Sequence, residues 1–154
     1  MKKLWELKNK RKKNNKGFSL VELIVVIAIM AVLIAVLAPQ FIKYVEKSKV
    51  SSDEANAKEL LAACQVAMAD EDCDVALPGS GTTPLATFTK DKIEIKVTAT
   101  EFKDQIKAAL GSDYETKYKV KSSDHKDETY TVEVDSNGAV TGSWAATPTP
   151  TPTP

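Results

Sequence analysis

An uninterrupted apolar segment near the start of the chain constrains the fold more than any other feature. Residues 23–38 are all apolar, and only Ser19 and Glu22 are polar within residues 18–38. As an α-helix at about 1.5 Å per residue, residues 18–38 would be about 30 Å long, the thickness of the hydrocarbon core of a bilayer. A small domain cannot surround a helix that is apolar on every side. The segment therefore predicts a helix that spans a membrane.

The zero net charge of the chain hides a strong asymmetry. Residues 1–17 contain eight Lys or Arg residues and one Glu, a net charge of +7, so residues 18–154 carry −7. Basic residues directly before an apolar segment stay on the cytoplasmic side. We therefore expect a cytoplasmic N-terminus and an outward-facing remainder. The alternative is a nucleic-acid-binding arm, but the position of the basic residues beside the apolar segment already accounts for them.

A cleavable secretory signal peptide is another interpretation of the same segment. Residues 8–16 would be its charged part and residues 23–37 its apolar core. Val36-Leu37-Ala38 resembles a cleavage site, but cleavage there would leave Pro39 at the new N-terminus. The fixed φ of proline fits the extended substrate conformation of a protease poorly, so a retained helix is favoured.

The remaining sequence predicts one small head. Apolar positions keep helical spacing beyond the apolar segment, which predicts one long helix from Phe18 to Ala69 with an apolar stripe on its second half. Residues 78–84 are rich in Gly and Pro and predict a loop. Alternating patterns predict strands over 93–97, 114–120, 130–134 and 139–144, and residues 98–110 predict a short helix that begins with a capping box. The fold class is therefore α+β, a long N-terminal hydrophobic helix packed on a small antiparallel β-sheet.

The junction of the basic prefix and the apolar segment reads Lys16-Gly17-Phe18-Ser19-Leu20-Val21-Glu22 and continues to Ala38-Pro39. Over about residues 12–50 the chain resembles the class III signal peptide of type IV pilins and of pseudopilins. The resemblance implies that a prepilin peptidase cuts after Gly17, and that Phe18 becomes a methylated N-terminus. Residues 1–17 would be the cleaved leader, 18–39 the transmembrane and filament-core helix, 40–146 the amphipathic helix and globular head, and 147–154 a Thr-Pro tail.

Glu22 and Pro39 interrupt the apolar helix in different ways. A carboxylate near the bilayer centre costs up to about 3 kcal/mol and requires a partner. The resemblance implies that Glu22 pairs with the terminal amine of Phe18 in a neighbouring subunit, which makes both residues assembly sites. Alternatively, Glu22 reaches the membrane interface or complements the helix dipole. Pro39 removes a backbone donor and clashes with the preceding turn, which predicts a helix kink.

The two cysteines and a group of acidic residues are the other candidate sites. An exported domain lies where a disulfide persists, so we predict a Cys64–Cys73 bridge. The alternating aspartates at 70, 72 and 74 resemble a calcium loop, but Val75 and Gly81 occupy the positions of its glycine and its glutamate. We interpret them as a solvated acidic turn and predict no metal site; irregular calcium binding is the alternative.

Neither the histidine nor any sequence motif indicates a catalytic site. No nucleophile or metal ligand stands at the spacing of a catalytic or metal-binding motif from His125, so we expect a surface residue in a hairpin turn. No phosphate-binding loop, catalytic triad signature or HExxH motif is present in the sequence. We therefore expect no enzyme and no cofactor.

The resemblance implies a structural subunit of a type IV pilus-like extracellular filament for adhesion, motility or surface attachment. The alternative is a pseudopilin of a type II secretion or competence DNA-uptake system, and only then is nucleic acid a partner. A membrane-anchored surface binding protein is a more distant alternative. The implied partners are further copies, other pilins, the prepilin peptidase, and the assembly platform with its ATPase. The protein would be a single-pass membrane protein before assembly and a surface filament afterwards.

Overall fold

The computed structural model describes residues 18–147. The predicted leader with Gly17 and the tail beyond Thr147 lie outside these residues. In chain order the elements are α1 (Leu20–Ala69), β1 (Thr82–Phe88), β2 (Ile93–Ile95), α2 (Thr100–Leu110), α3 (Tyr114–Lys117), β3 (Glu128–Asp135) and β4 (Val140–Ala146). The chain divides into two compact units between Phe41 and Ile42, and the division falls within α1.

Helix α1 confirms the predicted long helix. It begins at Leu20, where the Ser19 carbonyl accepts a hydrogen bond from the Leu23 amide at 3.2 Å. The Glu22 carboxylate accepts a hydrogen bond from the Ser19 amide at 2.8 Å, which satisfies one of the amides that a helix start leaves unpaired. The helix contains Pro39 and continues to Ala69.

The second unit has a single hydrophobic core. One stripe of α1 contributes Ala57, Leu60, Cys64 and Ala67, whose spacing of three and four residues places them on one helix face. The sheet and α2 supply the large partners of this stripe. They are Leu85, Phe88, Ile93, Phe102, Ile106, Val132 and Val134. Burial of each large apolar side chain contributes about 1.5–3 kcal/mol, so this core is the main source of stability of the head.

The sheet has four antiparallel strands in the order β2-β1-β3-β4. Strands β3 and β4 form a hairpin whose turn contains the predicted Asn137-Gly138 pair, and Gly138 has a φ of 82°. The Asp135 carboxylate accepts hydrogen bonds from the amides of Asn137 and Ala139, each at 2.8 Å. These backbone hydrogen bonds lower the pKa of Asp135 because they favour the charged carboxylate. The α+β class and the hairpin are confirmed.

Strand β1 corrects the predicted loop over residues 78–84. The strand begins at Thr82 and runs through Pro84, which lacks the amide that a central strand uses. Its pairing with β3 shifts register between Pro84 and Ala86. The irregular pairing accommodates the proline. Pro84, which predicted a loop, therefore lies inside a strand.

Residues 98–120 require two further corrections. The predicted strand over 114–120 is wrong, because residues 114–117 form the short helix α3. Tyr114 and Tyr118 are both buried, and their separation of four residues satisfies a helical turn as well as an alternating pattern. Helix α2 is confirmed, but its N-cap is Ala99 and no side chain caps it. The predicted capping box from Thr98 to Glu101 is therefore absent.

Candidate functional site

The exposed apolar surface of α1 is the most unusual feature of the first unit. Phe18 is 84% exposed, and every side chain from Leu20 to Leu37 is exposed. Within residues 18–147, α1 is the one helix long and apolar enough to cross a membrane, and its most apolar stretch is entirely unburied. Exposed apolar patches of this size mark a membrane or protein interaction surface.

Glu22 lies at the start of this surface. In the single chain its carboxylate accepts the hydrogen bond from the Ser19 amide, and its negative charge complements the positive end of the helix dipole. This contact gives Glu22 a local role in starting the helix. Its pairing with the terminal amine of a neighbouring copy stays a prediction.

Pro39 lies close to the division between the two compact units. The helix continues through it, and the division follows Phe41. The predicted kink at Pro39 stays a prediction.

The two cysteines are free thiols in the structure, so a disulfide between them is not shown. Cys64 is fully buried in the core, and burial raises its pKa to about 12. Burial also raises the pKa of Cys73, with smaller contributions from the negative charges of Asp70, Glu101 and Asp74. Because the thiolate is the reactive form of cysteine, neither thiol is activated for chemistry.

The acidic turn after α1 lines an open cavity of about 360 Å³ together with residues of α2. Asp70 accepts hydrogen bonds from the Gln105 side chain and, at 3.1 Å, from the Asp72 amide. These contacts dock the turn on α2. In the described part of the chain, no three His, Cys, Asp or Glu side chains are grouped so that they could hold a metal ion.

Asp53 is a buried anchor that the sequence analysis missed. Its side chain is completely buried, and its carboxylate accepts hydrogen bonds from the amides of Lys121 (3.0 Å) and Ser122 (2.7 Å). The signal was present in the sequence, because Asp53 precedes Ala57 and Leu60 in the helical spacing of the apolar stripe. A carboxylate at a core position requires buried donors, and here the loop before β3 provides them.

Glu46 is a second carboxylate that holds the same loop. It lies two helical turns before Asp53 and accepts hydrogen bonds from the Ser123 amide and, at 2.7 Å, from the Ser123 hydroxyl. The backbone hydrogen bond is the largest cause of the lowered pKa of Glu46, followed by the Ser123 hydroxyl, and Lys49 adds to the effect. Glu46 and Asp53 thus fix residues 121–123 against the second half of α1.

His125 corrects the predicted surface histidine, because its side chain is only 13% exposed. Its ring stacks on Trp144 with centroids 4.0 Å apart and an interplanar angle of 9°. The Nδ1 atom lies 2.6 Å from a carboxylate oxygen of Glu128. The Nε2 atom lies 4.0 Å from a carboxylate oxygen of Glu54. The arrangement packs the loop before β3 on Trp144, which is a structural role.

Comparison with known proteins gives two findings. Residues 12–38 match the family model described as the prokaryotic N-terminal methylation motif. The chain is 40% identical over 58 residues to the type IV major pilin protein PilA of Myxococcus xanthus. The match covers 38% of this chain and about a quarter, 26%, of the Myxococcus protein. No solved structure matches the chain.

The matched motif coincides with the predicted signal. It contains the last part of the basic prefix, the Gly17-Phe18 junction and the apolar segment up to Ala38. The described structure adds the long apolar helix and the four-stranded antiparallel sheet of an α+β fold. The chain is therefore similar to type IV pilins in this N-terminal segment.

Proposed function

We propose that the chain is a structural subunit of a type IV pilus-like extracellular filament for adhesion, motility or surface attachment. One observation carries the proposal, namely the exposure of every side chain from Leu20 to Leu37. Removal of apolar surface from water contributes about 25 cal/mol per Å². A helix with this surface is stable only in lipid or among similar helices, and a filament core of bundled helices provides the second environment.

Processing would convert the membrane protein into the filament subunit. In this proposal a prepilin peptidase cuts between Gly17 and Phe18 and removes a leader with a charge of +7. The apolar helix stays on the product, and Phe18 becomes the methylated N-terminus. The leader holds the N-terminus at the cytoplasmic face before cleavage, and its loss lets the subunit leave the membrane.

The charge of Glu22 would set the position of each subunit along the filament. The carboxylate lies one helical turn from Phe18, so the terminal amine of the neighbouring subunit can reach it within the core. A charge that is left alone in an apolar environment is far more costly than a paired one. Subunits that align Glu22 with an amine are therefore favoured over all other axial arrangements.

The head would form the filament surface, and the assembly machinery would act on the first unit. The partners in this proposal are further copies, other pilins, the peptidase, and the assembly platform with its ATPase. Pro39 would kink or loosen the helix where the filament core meets the head. A surface role of the head requires no catalytic centre.

The proposal is tested on protein sheared from the cell surface, by intact mass and N-terminal sequencing. The expected product begins at a methylated Phe18 and is recovered as a polymer. The matched control is Gly17→Val, whose bulkier side chain beside the cut bond should leave the chain uncut in the membrane. A wild-type protein that begins at Met1, or at Pro39 in the medium, would overturn the filament proposal.

A further inference from the structure

The two edges of the sheet are protected very differently. Strand β2 has three residues, and Glu94 within it forms ion pairs with Lys92 (3.8 Å) and Lys96 (2.9 Å). Short, charged edge strands discourage the addition of another strand. Strand β4 has seven residues, Val-Thr-Gly-Ser-Trp-Ala-Ala, without a charged residue or a proline. The β4 edge therefore has none of the usual sequence protection against strand addition.

The hydrogen bonds of the β3–β4 hairpin define which groups of β4 face this edge. The Ala139 carbonyl accepts from the Asp135 amide at 3.1 Å, and the Thr147 amide donates to the Asp127 carbonyl at 3.0 Å. Odd-numbered residues of β4 therefore bond to β3. Because this pattern alternates in an antiparallel ladder, even-numbered residues point their backbone groups outward.

Three of these outward residues have free backbone groups. The Val140 carbonyl accepts a hydrogen bond from the Gln65 side chain at 3.3 Å. Within residues 18–147, no side chain or loop bonds to the backbone of Gly142, Trp144 or Ala146. The unused donors and acceptors are spaced two residues apart, as a strand partner requires.

The Thr-Pro tail has the complementary periodicity. Thr and Pro alternate from Thr147 to Pro154. A residue that precedes proline is restricted to extended conformations, and proline has no amide hydrogen. In an extended strand alternate residues face the same side, so every amide donor of this tail lies on the threonine side. Such a strand pairs with one neighbour and closes the sheet on its other side.

We propose that the tail of one copy adds as an antiparallel strand to the β4 edge of a second copy. Thr149, Thr151 and Thr153 would pair with the outward residues Ala146, Trp144 and Gly142, respectively. Return of a tail to its own β4 is disfavoured, because tight hairpin turns need residues with positive φ and the tail contains only Thr and Pro. The inference requires copies in one membrane or filament, where local concentration favours weak pairing.

The pairing places Ser143 of one copy opposite Pro152 of the other. Such directly opposed residues have Cα atoms about 4.5 Å apart, which is within the range of a disulfide. Two full-length chains that share Cys73→Ser are produced in one membrane. One carries Ser143→Cys, and the other carries Pro152→Cys and a mass tag. The control replaces Ser143→Cys by Lys92→Cys, directly before β2. We expect at least about tenfold more disulfide-linked heterodimer with Ser143→Cys than with this control.

A rearranged tail tests the one-sided donor pattern. Pro150→Thr with Thr151→Pro keeps the length and composition of the tail. The exchange removes the amide of residue 151, which would face β4, and adds an amide at residue 150, which would face away from β4. The heterodimer yield should fall to the level of the Lys92→Cys control. An unchanged yield, or equal yields from the two edges with the natural tail, would overturn the inference. Recovery of sheared filaments is scored separately, so filaments without the heterodimer would refute this pairing and leave the proposed function standing.

Discussion

The two halves of helix α1 have the same backbone conformation and opposite surroundings. From Leu20 to Leu37 every side chain is exposed, whereas the stretch from Asp53 to Ala67 has a stripe that is completely or almost completely buried. The first half is apolar on all sides and has no core of its own. The second half has one buried apolar stripe, and charged residues such as Lys58 and Glu59 lie outside it.

This difference shows that the stability of the two halves has different sources. The second half is stabilised within the chain by the sheet and α2. The first half receives no comparable burial in the described chain, and an exposed apolar surface of this size marks a membrane or protein interaction site. Substitutions in the first half should change the assembly state and leave the head intact. Substitutions in the second half should destabilise the head.

The largest expected effect is the loss of filaments from Glu22→Ala. An unpaired terminal amine in the filament core costs about 3–5 kcal/mol, and each 1.4 kcal/mol is tenfold in an equilibrium. Sheared filament should therefore fall by at least about a hundredfold, while cleavage after Gly17 continues. Quantitative immunoblots of sheared and membrane fractions measure both effects.

Glu22→Gln separates the two roles of this residue. The amide oxygen of glutamine can still accept the hydrogen bond from the Ser19 amide, so the local helix start is preserved. The charge that would pair with the amine is lost. If Glu22→Gln assembles normally and Glu22→Ala does not, the residue acts as a helix cap, and the pairing model fails.

Two leucine substitutions compare the halves directly. Leu60 is completely buried, whereas Leu33 is 54% exposed. Leu60→Ala leaves a cavity in the core and should lower the free energy of unfolding of the head by about 2–5 kcal/mol. Leu33→Ala should leave that free energy unchanged within about 0.5 kcal/mol. Denaturant unfolding of the full chain in detergent, followed by circular dichroism, measures both values, and equal losses would contradict the comparison.

Asp53→Ala should destabilise the head by about 2–3 kcal/mol. The substitution leaves the amides of Lys121 and Ser122 without this acceptor. Hydrogen bonds to a charged group contribute about 1.5–3 kcal/mol. Asp53→Asn keeps one oxygen acceptor and should lose less. Asp124→Ala, an exposed carboxylate on the same loop, is the matched control. A loss from Asp124→Ala as large as that from Asp53→Ala would show that loop charge, rather than buried hydrogen bonding, determines the stability.

Asp53 also shows which features of the fold can be predicted from the sequence and which cannot. The long helix, α2 and the β3–β4 hairpin were predictable, since each follows a local period or a local turn signal. The partners of Asp53 and Glu46 were not, because the amides that reach them lie 69 and 77 residues away along the chain. Sequence periodicity shows that a polar residue lies on a core face, and only the tertiary fold shows which donors reach it.

The errors in the sheet have a similar origin. Pro84 indicates a loop by its own chemistry, yet the irregular pairing of β1 with β3 accommodates it. Tyr114 and Tyr118 fit both a helix and a strand, and a window of four to seven residues cannot distinguish them. The predicted N-terminal motif was recognisable from the sequence, and a family model matches it over residues 12–38. The disulfide between Cys64 and Cys73 stays a prediction, since the structure shows both as free thiols and no bridge.

The smallest expected effect is a change in the stability of the head at acidic pH. The hydrogen bonds from Ser123 lower the pKa of Glu46 below its ordinary value of 4.5. The folded state therefore binds this proton more weakly than the unfolded chain does, so the contribution is fully present above pH 4.5. It disappears as the pH falls through the lower, folded pKa. Glu46→Gln should flatten the pH dependence of unfolding only below about pH 4.5.

Glu71→Gln is the matched control for this measurement, because Glu71 is exposed and accepts no hydrogen bond within residues 18–147. Unfolding temperatures of the full chain in detergent, taken from pH 7 to pH 3, compare the two variants. Both carboxylates lie in the second unit, and only Glu46 holds the loop before β3. Identical pH curves for the two variants would show that the contact between Glu46 and Ser123 adds nothing, and that Asp53 alone fixes this loop on α1.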